Sequence, residues 1–333
     1  MNSLERMHEF LNGGAVDRLP FMPILMRVCA KHTQTPYRDF ILNPAAHCDS
    51  NIRCANDFRS DWVNVMSDPY GELEAYGAHI EYPENSLPLD HTVLIENIAR
   101  FESLPELDLD HPRLRGRLEE LRIFRKTLGD TQVICGWVEG PVAEYCDLRS
   151  LGYGCLDFYD DPAAVRAALE KLHRNALRLA EAQVRAGANM IGIGDAACSQ
   201  IGPELYREFA YPYECELVRH IHKLGALVKL HICGNTEAIL PDMISTGADI
   251  IDVDHLVRNM AQFVPLLASR QVLCGNLDPV GVIRDLPPDE IRRAARLALA
   301  QAPGKLILSG GCEITPDTPD AHLSALSDCC RLP

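Results

Sequence analysis

A (β/α)8 barrel is the fold class this chain predicts, and three observations predict it. Short apolar runs alternate with longer stretches of helical spacing along the 333 residues. About eight such units in ~300 residues match the length of one closed barrel. Almost every apolar run ends on a polar side chain, and the C-terminal strand ends of such barrels build the active site. A doubly wound parallel sheet is the alternative topology for the same alternation.

Taken in order, strands are expected at 20–27, 62–66, 132–139, 189–195, 227–233, 250–254, 271–278 and 305–311. Their polar ends are Arg27, Glu139, Asp195, His231 with Cys233, Asp252 with Asp254, Asn276 with Asp278, and Cys312. Between them, a helix is expected over 162–186, opened by Asp161 and Pro162 and closed by Gly187. Similar helices are expected over 203–224 and 288–302, and a last one begins with Pro319 at its first position and Thr318 as its cap. Residues 70–111 are less regular and read as an insertion. No Ser/Gly tract, charge block or low-complexity segment divides the chain, so residues 1–333 read as a single barrel domain with an irregular N-terminal region.

Composition narrows the function. Apolar side chains make up 47% of the chain, enough to bury a large core. The formal charge of -15, without a Lys/Arg cluster, argues against nucleic acid as a partner. Thirteen cysteines, an odd number in a long chain without a signal-peptide pattern, fit a reducing cytoplasm better than a disulfide framework. No apolar run approaches the roughly 20 residues that span a bilayer, so membrane insertion is not expected. A homodimer is the commonest assembly for an enzyme of this size.

The run Leu-Val-Lys-Leu-His231-Ile-Cys233-Gly-Asn carries the chemistry. Residues i and i+2 of a strand face the same way, so imidazole and thiol converge. A third ligand comes from Lys-Leu-Ile-Leu-Ser-Gly-Gly-Cys312. His231, Cys233 and Cys312 suit Zn²⁺, and three protein ligands leave one position open, as in catalytic zinc. The bland reading is one hydrogen-bonded core histidine and two buried thiols, which leaves the His-x-Cys spacing unexplained. Two lookalikes are set aside. Gly192-Ile-Gly194-Asp-Ala-Ala follows a strand, but Gly202-Pro203 interrupts the helix a dinucleotide fingerprint needs. Asp320-Ala-His322 faintly matches the start of a cobalamin-binding module, yet Ala325 stands where its glycine belongs. No P-loop, HExxH or nucleophile-elbow motif is present.

With the strand ends laid out, the chain resembles the uroporphyrinogen decarboxylase superfamily along nearly its whole length, most closely its corrinoid-dependent zinc methyltransferase branch. The motifs are Leu19-Pro20 with Met26-Arg27, Glu139-Gly140-Pro141, His231-Ile-Cys233-Gly234-Asn235, Gly275-Asn276-Leu277-Asp278-Pro279 and Gly311-Cys312-Glu313-Ile-Thr-Pro-Asp-Thr-Pro319. The decarboxylases resembled use an arginine-rich segment after the first strand and a histidine in a final Gly-His-Gly loop. Here one arginine remains, and Cys312 takes the histidine's place. So few cations would poorly neutralise a tetrapyrrole bearing many carboxylates.

The resemblance therefore implies methyl transfer between a corrinoid (cobalamin) and a small methyl donor or acceptor, either a thiol such as coenzyme M or an aryl methyl ether (O-demethylation). No corrinoid module is recognisable, so a separate corrinoid protein is the expected partner. Alternatives are a metal-free decarboxylase, a non-catalytic corrinoid or metal carrier, and a hydrolase whose zinc activates water. Glu139 and Glu313 are candidates for a fourth ligand or a general acid. Asp68 falls where the decarboxylases resembled carry an essential aspartate, although Asp68-Pro69 is also a turn opener. Arg27 is a candidate partner for an anionic substrate or corrinoid group, or one half of a structural salt bridge. Asp195 and Asp252 could hold substrate, orient the imidazole, or serve as caps and ion-pair partners. Asn276 is a candidate substrate contact that also suits a turn, as does Asp278.

Overall fold

Seven parallel strands run in chain order through one curled sheet: β1 (Trp62–Asn64), β2 (Val133–Glu139), β3 (Met190–Gly194), β4 (Leu227–Ile232), β5 (Ile250–Val253), β6 (Val272–Leu277) and β7 (Leu306–Gly310). The computed structural model describes residues 1–331. Strands β3, β4 and β5 are buried along their whole length, as expected of a sheet covered on both faces. Helices such as Pro162–Ala186 form the outer layer and turn Val165, Ala168, Leu169, Leu172, Ala176 and Leu179 inward at helical spacing. Asp161 caps that helix by accepting from the Ala164 N–H, Pro162 fills its first turn, and Gly187 ends it at φ 126°.

The eighth strand is where structure and sequence part. Residues 20–27 were expected to be extended throughout, but only Phe21 bridges in parallel to Leu308 of β7. Met22 N–H donates to Leu308 O at 3.3 Å, and Asp61 N–H donates to Phe21 O at 2.8 Å on the β1 side. Pro20 and Pro23 lack the donors a longer ladder needs. The chain then turns helical over Met26–His32, so Arg27 lies in a helix's first turn instead of at a strand end.

A buried charge cluster holds this short closing segment. Asp61 is fully buried, Arg6 Nη1 lies 2.5 Å from its Oδ1, and Arg18 Nη1 lies 2.7 Å from its Oδ2. The Phe21 N–H also donates to Oδ2, at 2.8 Å. One carboxylate thus ties the N-terminal helix Ser3–Leu11, the closing segment and the entry to β1.

Residues 70–111 are packed. They contain the helix Gly71–Ala75, a hairpin pairing Ile80–Glu81 with Leu89–Asp90, and the turn Ile98–Ser103, with Leu73, Ile95, Phe101 and Leu107 buried. The helix expected over 203–224 starts earlier, at Cys198, kinks at Gly202 (φ 79°), widens into a π turn over Tyr206–Ala210 and resumes over Tyr211–Lys223. The last helix, Asp320–Asp328, has no side-chain cap, because the Thr318 hydroxyl pairs with that of Thr315 at 3.3 Å.

Removing one partner of a buried ionic cluster leaves the others uncompensated. Asp61→Ala is therefore expected to destabilise the fold by ~3–5 kcal/mol, read by urea unfolding, with the Arg6→Met, Asp61→Leu double variant recovering part of the loss.

Candidate metal centre

His231 is the fifth residue of β4, beside Gly194 of β3 and Asp252 of β5 in the parallel register. Cys233 follows on the same face, and Cys312 arrives two residues beyond the end of β7. His231 Nε2 lies 2.9 Å from Cys233 Sγ, and the two sulfurs are 3.5 Å apart. All three donor atoms fall within 4.8 Å of one another. Tetrahedral zinc with Zn–S bonds near 2.3 Å would hold two sulfurs roughly 3.8 Å apart, so the set fits such an ion with little movement.

Two glycines permit this convergence. A side chain on Gly311 would meet the His255 backbone nitrogen at 2.4 Å, so only glycine lets the Cys312 loop pass there. Gly234 takes φ 89° directly after Cys233, with its N–H held by Asp254 Oδ2 at 2.9 Å.

The electrostatics place one thiolate among the three donors. Hydrogen bonding from Cys233, then contact with His231, holds the Cys312 thiol down at about 4, against the opposing effect of burial. Cys233 is raised, chiefly because its proton is shared with Cys312. Burial alone would lower the His231 pKa, but the neighbouring Cys233 and Asp252 more than reverse it. His231 Nδ1 is 3.0 Å from Asp252 Oδ2, and Lys229 Nζ lies 2.8 Å from the same oxygen. Burial pushes the Asp252 pKa up, but Lys229 and His231 together outweigh it and hold the carboxylate low. It is fully buried, so it cannot touch a substrate, and it stands behind the imidazole in the position of an orienting carboxylate.

Glu139 shares a cavity of about 360 Å³ with Cys233. Its Oε1 accepts from Trp137 Nε1–H at 3.0 Å, and burial, followed by the charges of Glu72 and Asp147, raises its pKa. The other sequence candidates are committed elsewhere. Glu313 holds Arg27 through both oxygens at 3.1 Å, so neither group is a free ligand or free cation. Asp68 is buried against Arg113 and accepts from Ser67 Oγ at 2.7 Å and Tyr70 N–H at 3.0 Å. Asn276 donates to Val257 O at 2.6 Å, and Asp278 caps the turn that follows by accepting from Val280 N–H at 2.9 Å.

Asp195 is also fully buried, which removes it from substrate contact. It joins Cys198 and Glu214 in a second convergence beneath the sheet ends, and its Oδ1 accepts from Ala143 N–H at 2.6 Å. Burial pushes Asp195 up to about 7 and raises Glu214, so this group retains protons. Sequence reasoning passed over Lys229, Trp137 and Asp147. Lys229 had a signal: a charge inside an apolar run, two residues before His231 and therefore on its face.

A family profile described as Uroporphyrinogen decarboxylase (URO-D) matches residues 2–332. The chain belongs to the uroporphyrinogen decarboxylase family. Within it, the methylcobamide:CoM methyltransferase of Methanosarcina mazei is 28% identical over 98% of this chain and 97% of that protein. A methylcobamide:CoM methyltransferase of Methanosarcina barkeri is 30% identical over 87% of this chain and 76% of that protein. In structure, a methyltransferase from Methanosarcina mazei matches with a TM-score of 0.89 over 99% of this chain and 98% of that one. At 23% identity, that likeness speaks for the family's (β/α)8 barrel. Among the described residues, no helix is long and apolar enough to cross a membrane.

Asp195 gives a pH signature. With a folded pKa of about 7 against an unfolded value of 3.8, the unfolded chain loses its proton first as pH rises. Stability from this group is full below about pH 4 and falls by up to ~4 kcal/mol by pH 7, and Asp195→Asn should flatten that slope in urea unfolding.

Proposed function

We propose that this family member is a zinc-dependent methyltransferase that moves a methyl group between a corrinoid, carried on a partner protein, and a small substrate. The convergence of His231, Cys233 and Cys312 at the barrel mouth carries the reading. The two methylcobamide:CoM methyltransferase relatives support both the reaction class and a corrinoid as the other party to the transfer.

Zinc bound by the three residues would supply Lewis acidity, keeping a thiol substrate ionised at neutral pH or polarising the oxygen of an aryl methyl ether. The chain's own residues do the rest. Asp252 accepts the Nδ1 proton of His231, so the Nε2 lone pair points toward the cysteines. Lys229 balances the buried charge of Asp252 and so holds that carboxylate ionised behind the imidazole. Glu139, kept protonated by its surroundings and steadied by Trp137, donates a proton to the oxygen that leaves when an ether is demethylated. The cavity beside Cys233 falls in the size range of small-ligand sites and seats the substrate. The metal-free decarboxylase reading needs free cations for an acidic substrate, and Arg27 is already held by Glu313.

Metal content tests the centre. One zinc per chain is expected in the wild type and none in Cys312→Ala, while Asp252→Asn should bind zinc ~10–100-fold more weakly. A wild type that takes up no zinc on addition would overturn the reading. Glu139 has its own signature: with a methoxyarene as donor, turnover should fall as pH rises through the raised pKa of this acid. Glu139→Gln should lose that alkaline limb and ~100-fold in kcat.

A further inference from the structure

The cavity that shares Cys233 with the metal centre has carboxylates in its wall and no cation. Glu139 and Asp147 face it, together with Ser199, Gln200 and small apolar side chains, and none of its lining residues is Lys, Arg or His. Asp147 also lines the adjoining cavity of about 390 Å³, where Asp90 adds a further acid and the one basic residue, His91, lies 2.9 Å from Glu81. Among the described residues, the Asp147 side chain has no hydrogen-bond or ion-pair partner. Burial and the charges of Glu72, Asp195 and Asp90 raise its pKa to about 7, the signature of a carboxylate that lacks a counter-ion.

Cations at this end of the barrel lie elsewhere. Arg27 and Lys31 line a different cavity, of about 780 Å³, whose wall includes neither Cys233 nor Cys312. Arg27 there is held by Glu313, and Lys31 Nζ stands 3.5 Å from Asp317. An anionic tail attached to a group ligated beside Cys233 would therefore meet the Asp147 carboxylate, with no cation in the cavity wall to neutralise it.

We infer that this site selects a methyl donor or acceptor whose body is uncharged or cationic, and that Asp147 is the residue that excludes anionic tails. The inference rests on the proposed metal centre and narrows its substrate class. Selection by repulsion is an economical form of specificity, because one unpaired like charge weakens every anion irrespective of its shape. A sulfonate-bearing thiol, the chemistry of coenzyme M, is the type of acceptor this wall rejects. Methoxyarenes without a carboxylate, and thiols with hydroxyl or ammonium ends, are the types it admits.

The test reads binding apart from turnover. The chain is loaded with Co²⁺ in place of zinc and, at a pH more than a unit above the Asp147 value of about 7 so that its carboxylate is ionised, titrated with three thiols of equal chain length: 2-hydroxyethanethiol, 2-aminoethanethiol and 2-sulfonatoethanethiol. Thiolate-to-cobalt absorption reports each Kd. The hydroxyl and ammonium thiols are expected to bind at least tenfold more tightly than the sulfonate. Asp147→Asn, nearly identical in shape, should narrow that ratio, and Asp147→Lys should invert it. Tightest binding of the sulfonate by the wild type, an unchanged ratio in Asp147→Asn, or no thiol binding at all would overturn the inference. The expected order of Kd values without turnover from methylcobalamin, with any thiol, would instead remove the methyl-transfer reading and leave the charge selection standing.

Discussion

The ionic chain Lys229, Asp252, His231 is the constraint around which the barrel mouth is organised. All three lie on adjacent strands whose parallel register places His231 beside Asp252. An unpaired carboxylate in such a place would be strongly disfavoured, and Lys229, itself fully buried, is the compensation. The lysine is in turn held over the Trp62 ring, 4.6 Å from its centroid, and 3.5 Å from Cys274 Sγ. Each group is acceptable inside the protein only because the next one is there. The outcome is an imidazole whose inner nitrogen is spoken for and whose outer nitrogen is presented to two sulfurs. A metal taken up here displaces the proton that Cys233 and Asp252 favour on His231, because an imidazolium has no lone pair to give a metal.

The barrel was legible because its signals are local. Buried parallel strands read as short apolar runs, and the helix Pro162–Ala186 announces both ends with Asp161, Pro162 and Gly187. The convergence of His231, Cys233 and Cys312 was legible for the same reason: His231 and Cys233 share a strand face, and Cys312 follows another apolar run. Long-range pairing was hidden. Nothing near Glu313 in sequence reveals that Arg27, 286 residues earlier, occupies both of its oxygens. Asp252 and Asp195 looked alike as acids at strand ends. The fold gives one a lysine and a histidine and the other a buried, proton-retaining cluster. The shortened first strand followed from Pro20 and Pro23, a signal present in the sequence and outweighed there by the apolar character of the run.

Charge is distributed unevenly around the mouth. Cations are paired on the side built by Met26–His32, whereas the side built by β2 and the helix after it carries Glu139 and Asp147 with no cation in the cavity wall. The proposed reaction needs a proton donor near the leaving group, and clustered carboxylates in a poorly solvated wall raise one another's pKa to provide it. The same wall that supplies the acid thus also filters the charge of what can approach it.

The closing segment has a consequence for how the chain reaches its native state. Phe21 pairs with Leu308, and the Ser309 hydroxyl donates to Met22 O across 287 residues. During synthesis the first strand therefore waits, its neighbour on one side still unmade, until nearly the entire polypeptide has emerged. Until then the growing sheet offers an open flank, the kind of edge that recruits other chains. The carboxylate of Asp61, whose two arginines lie 55 and 43 residues before it, can hold that strand against β1 long before Leu308 is made, so ring closure becomes the docking of a prepared edge.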